Sequence, residues 1–354
     1  MESFDIIVVG GGIAGLTAAV VAHEAGARVL VLEADEHIGG RIQCVTDELT
    51  GRAIADLGPT WVWPLYQPVV ARWVQRLGVE TFAQFSDGDG VLDGWSREVE
   101  RVPLPEQDGI RRIVGGPSAI VLALARRLPA AALRMRHTVI SVSDESSGAI
   151  GVTLASGEQL FASRVILATP VRVTAQQIAL PDIDPALRRA LESTPTWMAA
   201  QAKVVAEYDR PFWREDGLSG RIASRSGPLG ETHDHCPAEG AHGVIFGFPL
   251  WTAVQRRDDY ALRQATIAQL VRCLGPTAAT LRALHIQDWA TNPFICSAGD
   301  LAAPSVPPEP AAPLLRATHV RGRLAFAVSE TSDISPGLIE GALISGERAA
   351  RAMI

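Results

Sequence analysis

Apolar and glycine-rich stretches alternate at the start of the chain. Residues 5–9 form an apolar run that predicts a buried strand, and residues 10–15 read GGGIAG before an apolar helical stretch that continues to Ala25. A second apolar run at 29–32 predicts another strand, and the acidic Glu33 follows it. This order of strand, glycine-rich turn, helix, strand and acidic residue predicts a βαβ unit that binds a dinucleotide.

The glycines and the acidic residue of this unit have separate physical roles. Gly10 permits the tight turn after the strand, Gly12 lets backbone N–H groups approach a pyrophosphate, and Gly15 lets the helix pack closely on the strand. Glu33 stands where a carboxylate accepts a hydrogen bond from an adenosine ribose hydroxyl. Glycine-rich turns are common, but here the flanking elements fall at the required offsets, which favours the dinucleotide site over an ordinary turn.

The pattern changes near Pro64. From there to Pro105 the sequence is aromatic, proline-containing and irregular, which indicates the start of a second domain. Regular patterns return further along the chain. In chain order they predict a helix at 118–127, a strand at 138–140, a hairpin that turns at Ser156 and Gly157, strands at 164–168, 201–208 and 323–328, and a helix that starts near Gly337.

Composition narrows the function classes. The chain has 354 residues, of which 47% are hydrophobic, and this is enough for two domains with large cores. The 32 basic and 39 acidic residues give a net charge of −7 without a basic block, so we expect no nucleic-acid partner. No apolar run reaches the ~18 residues of a membrane span, so no membrane partner is expected. Four scattered cysteines without C-x-x-C spacing favour a reducing, cytoplasmic location.

A single lysine stands among the 32 basic residues of the chain. Lys203 is flanked by Ala202, Val204 and Val205, so both faces of its predicted strand are apolar. A buried ammonium needs a polar partner, such as a bound water or a cofactor nitrogen. A lysine that reaches solvent along its apolar stem is the simpler alternative, but the uniqueness of Lys203 favours a functional role.

Two further segments concern the identity of the cofactor. A second glycine pair ends at Gly40 and precedes Arg41, and Asp56 begins the run DLGPTW. The glycine pair allows a close backbone approach, and Arg41 can face a phosphate or a ring edge. Together these segments resemble the flavin-containing amine oxidase family, which includes monoamine, polyamine and L-amino-acid oxidases. The resemblance implies an FAD cofactor.

The resemblance extends to Lys203 and to the end of the chain. In the family, a lysine eight residues before a Pro-Phe-Trp tripeptide reaches flavin N5 through a water, and Lys203 stands eight residues before Pro211 of the same tripeptide. Residues 327–331 and 336–342 resemble the family's Gly-x-Glu-Thr and Gly-Tyr-Met-Glu-Gly-Ala segments. A helix start aimed at the flavin pyrimidine would stabilise the negative charge that grows there on reduction.

Three positions bear on the flavin link and on the substrate pocket. Ala298 stands where some members carry the cysteine that links to the flavin, so the resemblance implies non-covalent FAD, and Cys296 is two residues out of register. Gly299 and Leu338 stand where the family has the two tyrosines of an aromatic cage. We therefore expect a pocket that accepts a broader substrate than a slim arylalkylamine. Only residues 64–114 are available for the family's helical lid, so the pocket should be more open or partly closed by another subunit.

The fold class expected from these features is α/β, with an FAD-binding Rossmann-like domain interleaved with an α+β substrate domain built on a mixed sheet. The FAD-binding domain is assigned to residues 1–63, 114–180 and 318–354, and the substrate domain with its shortened helical lid to 64–113 and 181–317. The predicted cofactor-binding residues are Gly10, Gly12, Ile13, Ala14, Gly15, Glu33, Ala34, Gly40, Arg41, Gly58, Pro59, Thr60, Trp61, Val139, Thr169, Trp289, Glu330, Gly337, Leu338, Ile339 and Ala342. The predicted substrate-pocket residues are Trp61, Trp63, Phe246, Gly299 and Leu338.

The activity implied by the resemblance is FAD-dependent amine oxidation. Hydride passes from the carbon of a C–N substrate to flavin N5, and O2 reoxidises the flavin to give hydrogen peroxide, with Lys203 as the catalytic residue. A flavin desaturase or dehydrogenase that acts on a non-amine biosynthetic intermediate stays open as the alternative. The expected partners are a small-molecule amine, O2 and, in a homo-oligomer, a second copy of the chain. Residues 233–236, which read HDHC, are interpreted as a polar surface loop rather than a metal site, because adjacent side chains point apart.

Overall fold

The computed structural model describes residues 3–47, 51–105, 108–239, 242–302 and 306–354. The strands are β1 Ser3–Val9, β2 Val29–Leu32, β3 Cys44–Thr46, β4 Ala53–Asp56, β5 Trp61–Val62, β6 Thr81–Ala83, β7 Asp89–Asp93, β8 Glu100–Val102, β9 Arg111–Ile113, β10 Leu133–Arg134, β11 Val139–Asp144, β12 Ile150–Leu154, β13 Gln159–Leu167, β14 Ala202–Tyr208, β15 Leu218–Ser224, β16 Leu229–Asp234, β17 Gly243–Pro249, β18 Ala283–Asp288 and β19 Leu324–Phe326. The α-helices are α1 Ile13–Glu24, α2 Pro68–Leu77, α3 Ser118–Ala125, α4 Val171–Gln177, α5 Pro185–Ser193, α6 Phe212–Glu215, α7 Asp259–Leu274, α8 Ala298–Ala302, α9 Pro313–Arg316 and α10 Ile339–Met353.

The first sheet contains the predicted βαβ unit. Its strand order is β10-β2-β1-β13-β12-β11, with β19 beside β13. β1 pairs in parallel with β2 on one side and with β13 on the other. β13 is long enough to take two neighbours along its other edge, because its first residues pair antiparallel with β12 and its last three pair in parallel with β19. The Rossmann-like architecture expected from the sequence is therefore confirmed.

Helices cover both faces of this sheet. α1, α3 and α10 pack on one face, where Leu16, Leu124 and Leu343 are fully buried. α5 packs on the other face through Leu187 and Leu191. Strands that are buried on both faces need a continuous apolar sequence, and all four residues of β2 are buried accordingly.

The region between residues 64 and 105 is more regular than its sequence indicated. It contains α2, which begins at Pro68 and ends before Gly78, a glycine in the left-handed conformation with a φ of 66°. Proline at the first position and glycine after the last are ordinary helix limits. α2 packs against α10, where Trp73 Nε1 donates to Glu347 at 2.7 Å. Residues 68–77 and 185–193, which the sequence assigned to the substrate domain, thus contribute apolar side chains to the two cores that flank the first sheet.

The second sheet has the order β18-β14-β17-β16-β15-β7-β8. Its neighbouring strands run antiparallel except β15 and β7, which are parallel, so the predicted mixed sheet is confirmed. α7 covers one face of this sheet through Leu270 and Leu274. The opposite face is turned toward the first sheet and carries the residues of the cavity described next.

Candidate functional site

A cavity of about 820 Å³ lies between the two sheets. The carboxyl ends of β1, β2, β13 and β19 reach it from one side, which is where open α/β sheets bind ligands. Its volume is within the range of small-molecule and cofactor sites. The predicted site residues that line it are Gly10, Gly12, Ile13, Ala14, Glu33, Ala34, Gly40, Arg41, Gly58, Pro59, Thr60, Trp61, Trp63, Val139, Thr169, Lys203, Trp289, Gly337, Leu338, Ile339 and Ala342.

The turn after β1 has the geometry that an anionic ligand needs. Gly10 has a φ of 109°, a conformation that favours glycine. Gly15 of α1 lies so close to this turn that a Cβ would stand 2.0 Å from the Gly10 carbonyl oxygen. α1 begins at Ile13, and Ile13 and Ala14 both line the cavity. The N–H groups of a first helical turn have no partner inside the helix, so this end of α1 suits a pyrophosphate.

Glu33 lies directly after β2 and lines the same cavity. Its carboxylate accepts the Gly11 N–H at 2.6 Å and the Asp35 N–H at 2.9 Å. Burial raises the pKa of Glu33. Each carboxylate oxygen keeps acceptor capacity for one more donor, which fits a ribose hydroxyl of a dinucleotide.

Arg41 is held by a carboxylate from the other end of the chain. Its Nη1 and Nη2 donate to the two oxygens of Glu330 at 2.7 and 2.9 Å, and Nη1 also donates to the Trp197 carbonyl. Burial alone would raise the pKa of Glu330, yet Arg41 holds it below its usual value. Glu330 is 1% exposed and does not line the cavity, so its prediction as a cofactor contact is corrected to a role in fixing Arg41.

Lys203 on β14 is 1% exposed and its side chain reaches the cavity wall, so the predicted burial is confirmed. Its Nζ donates to the Gly58 carbonyl at 2.9 Å and to the Thr60 hydroxyl, and it stands 4.2 Å above the ring of Phe246. Burial lowers the pKa of Lys203 to about 7. An ammonium has three protons to donate, so one is left after these two bonds.

Three buried ionisable groups, Asp56, Arg112 and His235, interact electrostatically with Lys203, and the sequence did not indicate this cluster. Burial would raise the pKa of Asp56, but the positive charges of Lys203 and Arg112 hold it below its ordinary value. The Asp56 N–H donates to His235 Nε2 at 2.9 Å, which leaves that nitrogen as an acceptor. Burial, assisted by Arg112, lowers the pKa of His235 to about 3, so this imidazole is neutral. Asp56 is therefore ionised, and its negative charge favours the charged form of Lys203.

The start of α10 forms another part of the wall. Gly337 has a φ of 79°, and a Cβ there would lie 2.8 Å from the Trp197 side chain. Leu338, Ile339 and Ala342 follow it and line the cavity. Leu338 is 37% exposed, so an apolar side chain stands at the cavity mouth where the family resemblance places a tyrosine.

Two predicted substrate-pocket residues do not line the cavity. Phe246 is fully buried because the Trp61 ring covers it at a centroid distance of 5.4 Å. Gly299 lies in α8, where a Cβ at this position would lie 3.7 Å from the Arg172 side chain. Phe248, two residues along β17 from Phe246, lines the cavity instead. Gly15, which was predicted to bind the cofactor, does not line the cavity either, because it packs against the turn after β1.

Residues 233–236 form buried structure rather than the surface loop expected from the sequence. Asp234 accepts two hydrogen bonds from Arg214, at 2.7 and 2.8 Å, and one from Trp213 Nε1. The His233 ring packs between Trp61 and Phe246. In the described part of the chain, no group of three or more His, Cys, Asp or Glu residues has the arrangement of a metal site.

The comparisons with known proteins agree with this geometry. Residues 101–354 match the family model of flavin containing amine oxidoreductases, and residues 8–77 match the model of an NAD(P)-binding Rossmann-like domain. The chain belongs to the flavin-containing amine oxidoreductase family. It is accordingly a flavin-dependent oxidoreductase, and the family expected from the sequence motifs is confirmed.

Relatives in this family are distant but match along nearly the whole chain. A putative flavin-containing monoamine oxidase of Mycobacterium tuberculosis is 26% identical over 455 residues, with 98% of this chain and 95% of that protein covered. A flavin-containing amine oxidase of Oncorhynchus mykiss is 24% identical over 459 residues, covering 99% and 85%. Both alignments are longer than the 354 residues present here, so these relatives carry insertions.

Solved structures show the same fold. A putrescine oxidase double mutant superposes with a TM-score of 0.82 at 21% identity, with 99% of each chain covered. Cyclohexylamine oxidase from Brevibacterium oxydans also has a TM-score of 0.82, at 20% identity and with 99% of each chain covered. In the described residues, none of the helices combines the length and the apolar character that crossing a membrane requires.

The residues of the cavity fit a flavin dinucleotide. The buried Glu33 carboxylate and the open end of α1 suit the ribose and the pyrophosphate, and the start of α10 suits a ring that becomes negatively charged. Several lining residues were not predicted from the sequence. They are polar or aliphatic residues that no motif singles out. These unpredicted residues include Gln201, Glu231 and Leu250.

Proposed function

We propose that this flavoenzyme oxidises an amine at the carbon next to nitrogen, with FAD bound non-covalently and O2 as the electron acceptor. Loss of a hydride from this carbon and of a proton from the nitrogen gives an imine, which water hydrolyses to a carbonyl compound and an amine or ammonia. O2 takes up the two electrons and two protons and becomes hydrogen peroxide. Bound FAD would supply the hydride acceptor and the site of reaction with O2. The protein binds the substrate, orients it and excludes water.

The observation that carries the proposal is the position of Lys203. The single lysine of the chain lies buried in the cavity wall, and in the described residues it donates to two neutral acceptors, the Gly58 carbonyl and the Thr60 hydroxyl. Among the described residues no carboxylate pairs with it directly, so its remaining proton can act on a ligand or a water in the cavity. An ammonium there stabilises negative charge that develops on oxygen.

Four groups of residues would hold the cofactor. Glu33 would accept from the ribose, the first turn of α1 would bind the pyrophosphate, Arg41 would stand beside it, and the segments after β4 and before α10 would enclose the flavin ring. Non-covalent binding is supported by the cysteines. None of the four lines the cavity, and Cys296 donates to the Ser297 carbonyl in a buried position.

Two steps test the proposal. The purified holoenzyme is first reduced anaerobically by a panel of primary and secondary amines, and the reduced enzyme is then mixed rapidly with O2. At least one amine class should bleach the flavin, and reoxidation should release hydrogen peroxide. Lys203→Met should keep FAD but slow reoxidation by about tenfold or more, since each ~1.4 kcal/mol is tenfold in rate.

Gln201→Met is the matched control. Gln201 also lines the cavity, two residues before Lys203, and its replacement by Met removes a polar group but no charge. Equal reoxidation rates in wild type and Lys203→Met would remove Lys203 from the oxygen reaction. A flavin that no amine reduces would instead favour the alternative, a dehydrogenase of a non-amine substrate.

A further inference from the structure

Thr60 is one of two acceptors that Lys203 Nζ has in the described residues, and the Gly58 carbonyl is the other. A carbonyl oxygen only accepts hydrogen bonds, whereas a hydroxyl oxygen accepts them and also carries a proton of its own. Thr60 is 5% exposed, and it lines the cavity. Thr60 is therefore in contact with the buried ammonium and also borders the space where a ligand would bind.

The hydroxyl proton of Thr60 has no acceptor in the described part of the chain, where the one hydrogen bond of this hydroxyl is the bond that it accepts from Lys203. A buried donor without an acceptor is costly, so most buried hydroxyl groups donate as well as accept. Since Thr60 lines the cavity, a molecule bound there can supply the missing acceptor. The hydroxyl would then connect that molecule to Lys203.

Lys203 is an amine that can gain and lose a proton near neutral pH. Burial lowers its pKa to about 7, while Asp56 at the end of β4 opposes this shift and Arg112 on β9 adds to it. His235 is neutral, and the ring of Phe246 below the amine carries no charge. A group that transfers protons works best when its pKa is near the working pH, because both of its forms are then populated.

The proposed oxidation requires a place for one proton between its two halves. The hydride that leaves the substrate carbon carries two electrons and one of the two protons that O2 needs to become hydrogen peroxide. The substrate nitrogen loses the second proton as the imine forms, before O2 reacts. Lys203 is 1% exposed, so a proton on this amine is held away from bulk water until O2 takes it up.

We propose that Thr60 passes this proton between the cavity and Lys203, inward while the imine forms and outward when O2 reacts. In the first half the N–H bond of the substrate breaks, the Thr60 oxygen gains that proton, and the proton already on the hydroxyl moves to the neutral Lys203 amine. In the second half the two transfers run in reverse, and a new O–H bond forms on the peroxide. Neither side chain is oxidised or reduced. This inference rests on the proposed amine oxidation and adds Thr60 to it as the partner of Lys203.

Substitutions at Thr60 separate the effect of its hydroxyl from that of its shape. Thr60→Val keeps the branched shape and removes the hydroxyl, Thr60→Ser keeps the hydroxyl, and Thr266→Val is the matched control. Thr266 is fully buried in α7, outside the cavity, and its hydroxyl has no partner in the described residues.

The charge of Lys203 is measured first, without any turnover. The resonance of the single lysine, labelled at its ε-carbon, is recorded against pH in the apoprotein and in the FAD-loaded protein. Its midpoint should be lower in Thr60→Val than in wild type, because the ammonium loses an acceptor. The midpoints of Thr60→Ser and Thr266→Val should be close to that of wild type.

Reoxidation is then measured at a pH about one unit below the lowest of these midpoints, where Lys203 is charged in every protein. The FAD-loaded proteins are reduced with dithionite and mixed rapidly with O2. Thr60→Val should reoxidise at least about tenfold more slowly than wild type, while Thr60→Ser and Thr266→Val stay within about threefold. Thr60→Ala removes the same hydroxyl in a smaller side chain, and it takes the place of Thr60→Val in this comparison if Thr60→Val does not bind FAD.

Equal reoxidation rates in Thr60→Val and wild type at this pH would overturn the proposal, because Thr60 would then only support the charge of Lys203. Dithionite reduction needs no amine, which separates this test from that of the amine oxidation. If no amine reduces the flavin but Thr60→Val is slow and Thr60→Ser is not, the outward proton path stands and the amine oxidation fails. If amines are oxidised with release of peroxide and Thr60→Val matches wild type, the amine oxidation stands and the role of Thr60 fails.

Discussion

The low pKa of Lys203 has a direct consequence for stability. Burial lowers this pKa to about 7 from an ordinary value of 10.5, so between these pH values the unfolded chain binds a proton that the folded chain releases. Stability therefore rises as the pH rises through this window, and the full cost of charging the buried amine is present below it. Each pKa unit corresponds to about 1.36 kcal/mol, so the cost at low pH is on the order of 4–5 kcal/mol.

Lys203→Met removes this titration and fills the same space with an unbranched apolar side chain. The Gly58 carbonyl and the Thr60 hydroxyl lose a donor, which costs about 1–3 kcal/mol. The variant should therefore be more stable than wild type by about 1–4 kcal/mol at low pH, and less stable once the pH exceeds the ordinary lysine value. Urea unfolding of the FAD-saturated proteins at a series of pH values measures this difference, and a difference that does not vary with pH would refute the reasoning.

The single lysine of the chain also makes its pKa directly measurable. Protein grown with lysine labelled at the ε-carbon gives one side-chain resonance, whose chemical shift against pH reports the ionisation of Lys203. The midpoint should lie near 7. Asp56→Asn should lower it further, because Asp56 favours the charged amine. A midpoint close to 10.5 in the folded protein would show that the ammonium is solvated and that the stability argument fails.

Four other outcomes are expected. Heat or acid precipitation should leave the flavin in the supernatant as FAD, and flavin that stays with the polypeptide would contradict non-covalent binding. Gly15→Ala should lower FAD occupancy and the free energy of unfolding by about 1–3 kcal/mol, measured in urea, because its Cβ would overlap a backbone carbonyl. Glu33→Gln should weaken FAD binding by about tenfold in a titration of the apoprotein, since an amide cannot accept both backbone N–H groups. Wild type should turn over benzylamine slowly, Leu338→Tyr should raise that rate, and adding Gly299→Tyr should give no further increase.

The parts of the fold that the sequence predicted well depend on local signals. Between residues 5 and 33 the role of each residue depends on residues that are near it in the sequence. The strand, the turn and the helix therefore follow from the spacing of residues alone. The burial of Lys203 was predictable for the same reason, because both faces of β14 are apolar. α2 could have been predicted from Pro68 and Gly78, but its aromatic and charged residues obscured the apolar stripe that faces α10.

Contacts between distant segments could not be predicted in this way. Glu330 and Arg41 are 289 residues apart, and nothing in either neighbourhood indicates that one neutralises the other. Gly299 was predicted as a pocket residue from its family position, but the structure places it in α8, where a Cβ would lie 3.7 Å from the Arg172 side chain. Phe246 was on the right face of β17, but Trp61 covers it, which only tertiary packing determines.

The bonds of Lys203 connect the two halves of the cavity wall. The lysine belongs to the second sheet, whereas Gly58 and Thr60 belong to the segment between β4 and β5. The ammonium is therefore satisfied only when these two parts of the chain pack together, and any loosening of that contact would leave a buried cation without acceptors. An apolar residue would avoid this cost, as the stability prediction for Lys203→Met states. A cation retained at a place where it destabilises the fold, in a chain that otherwise uses arginine, is best explained by a function that needs an amine with a pKa near 7.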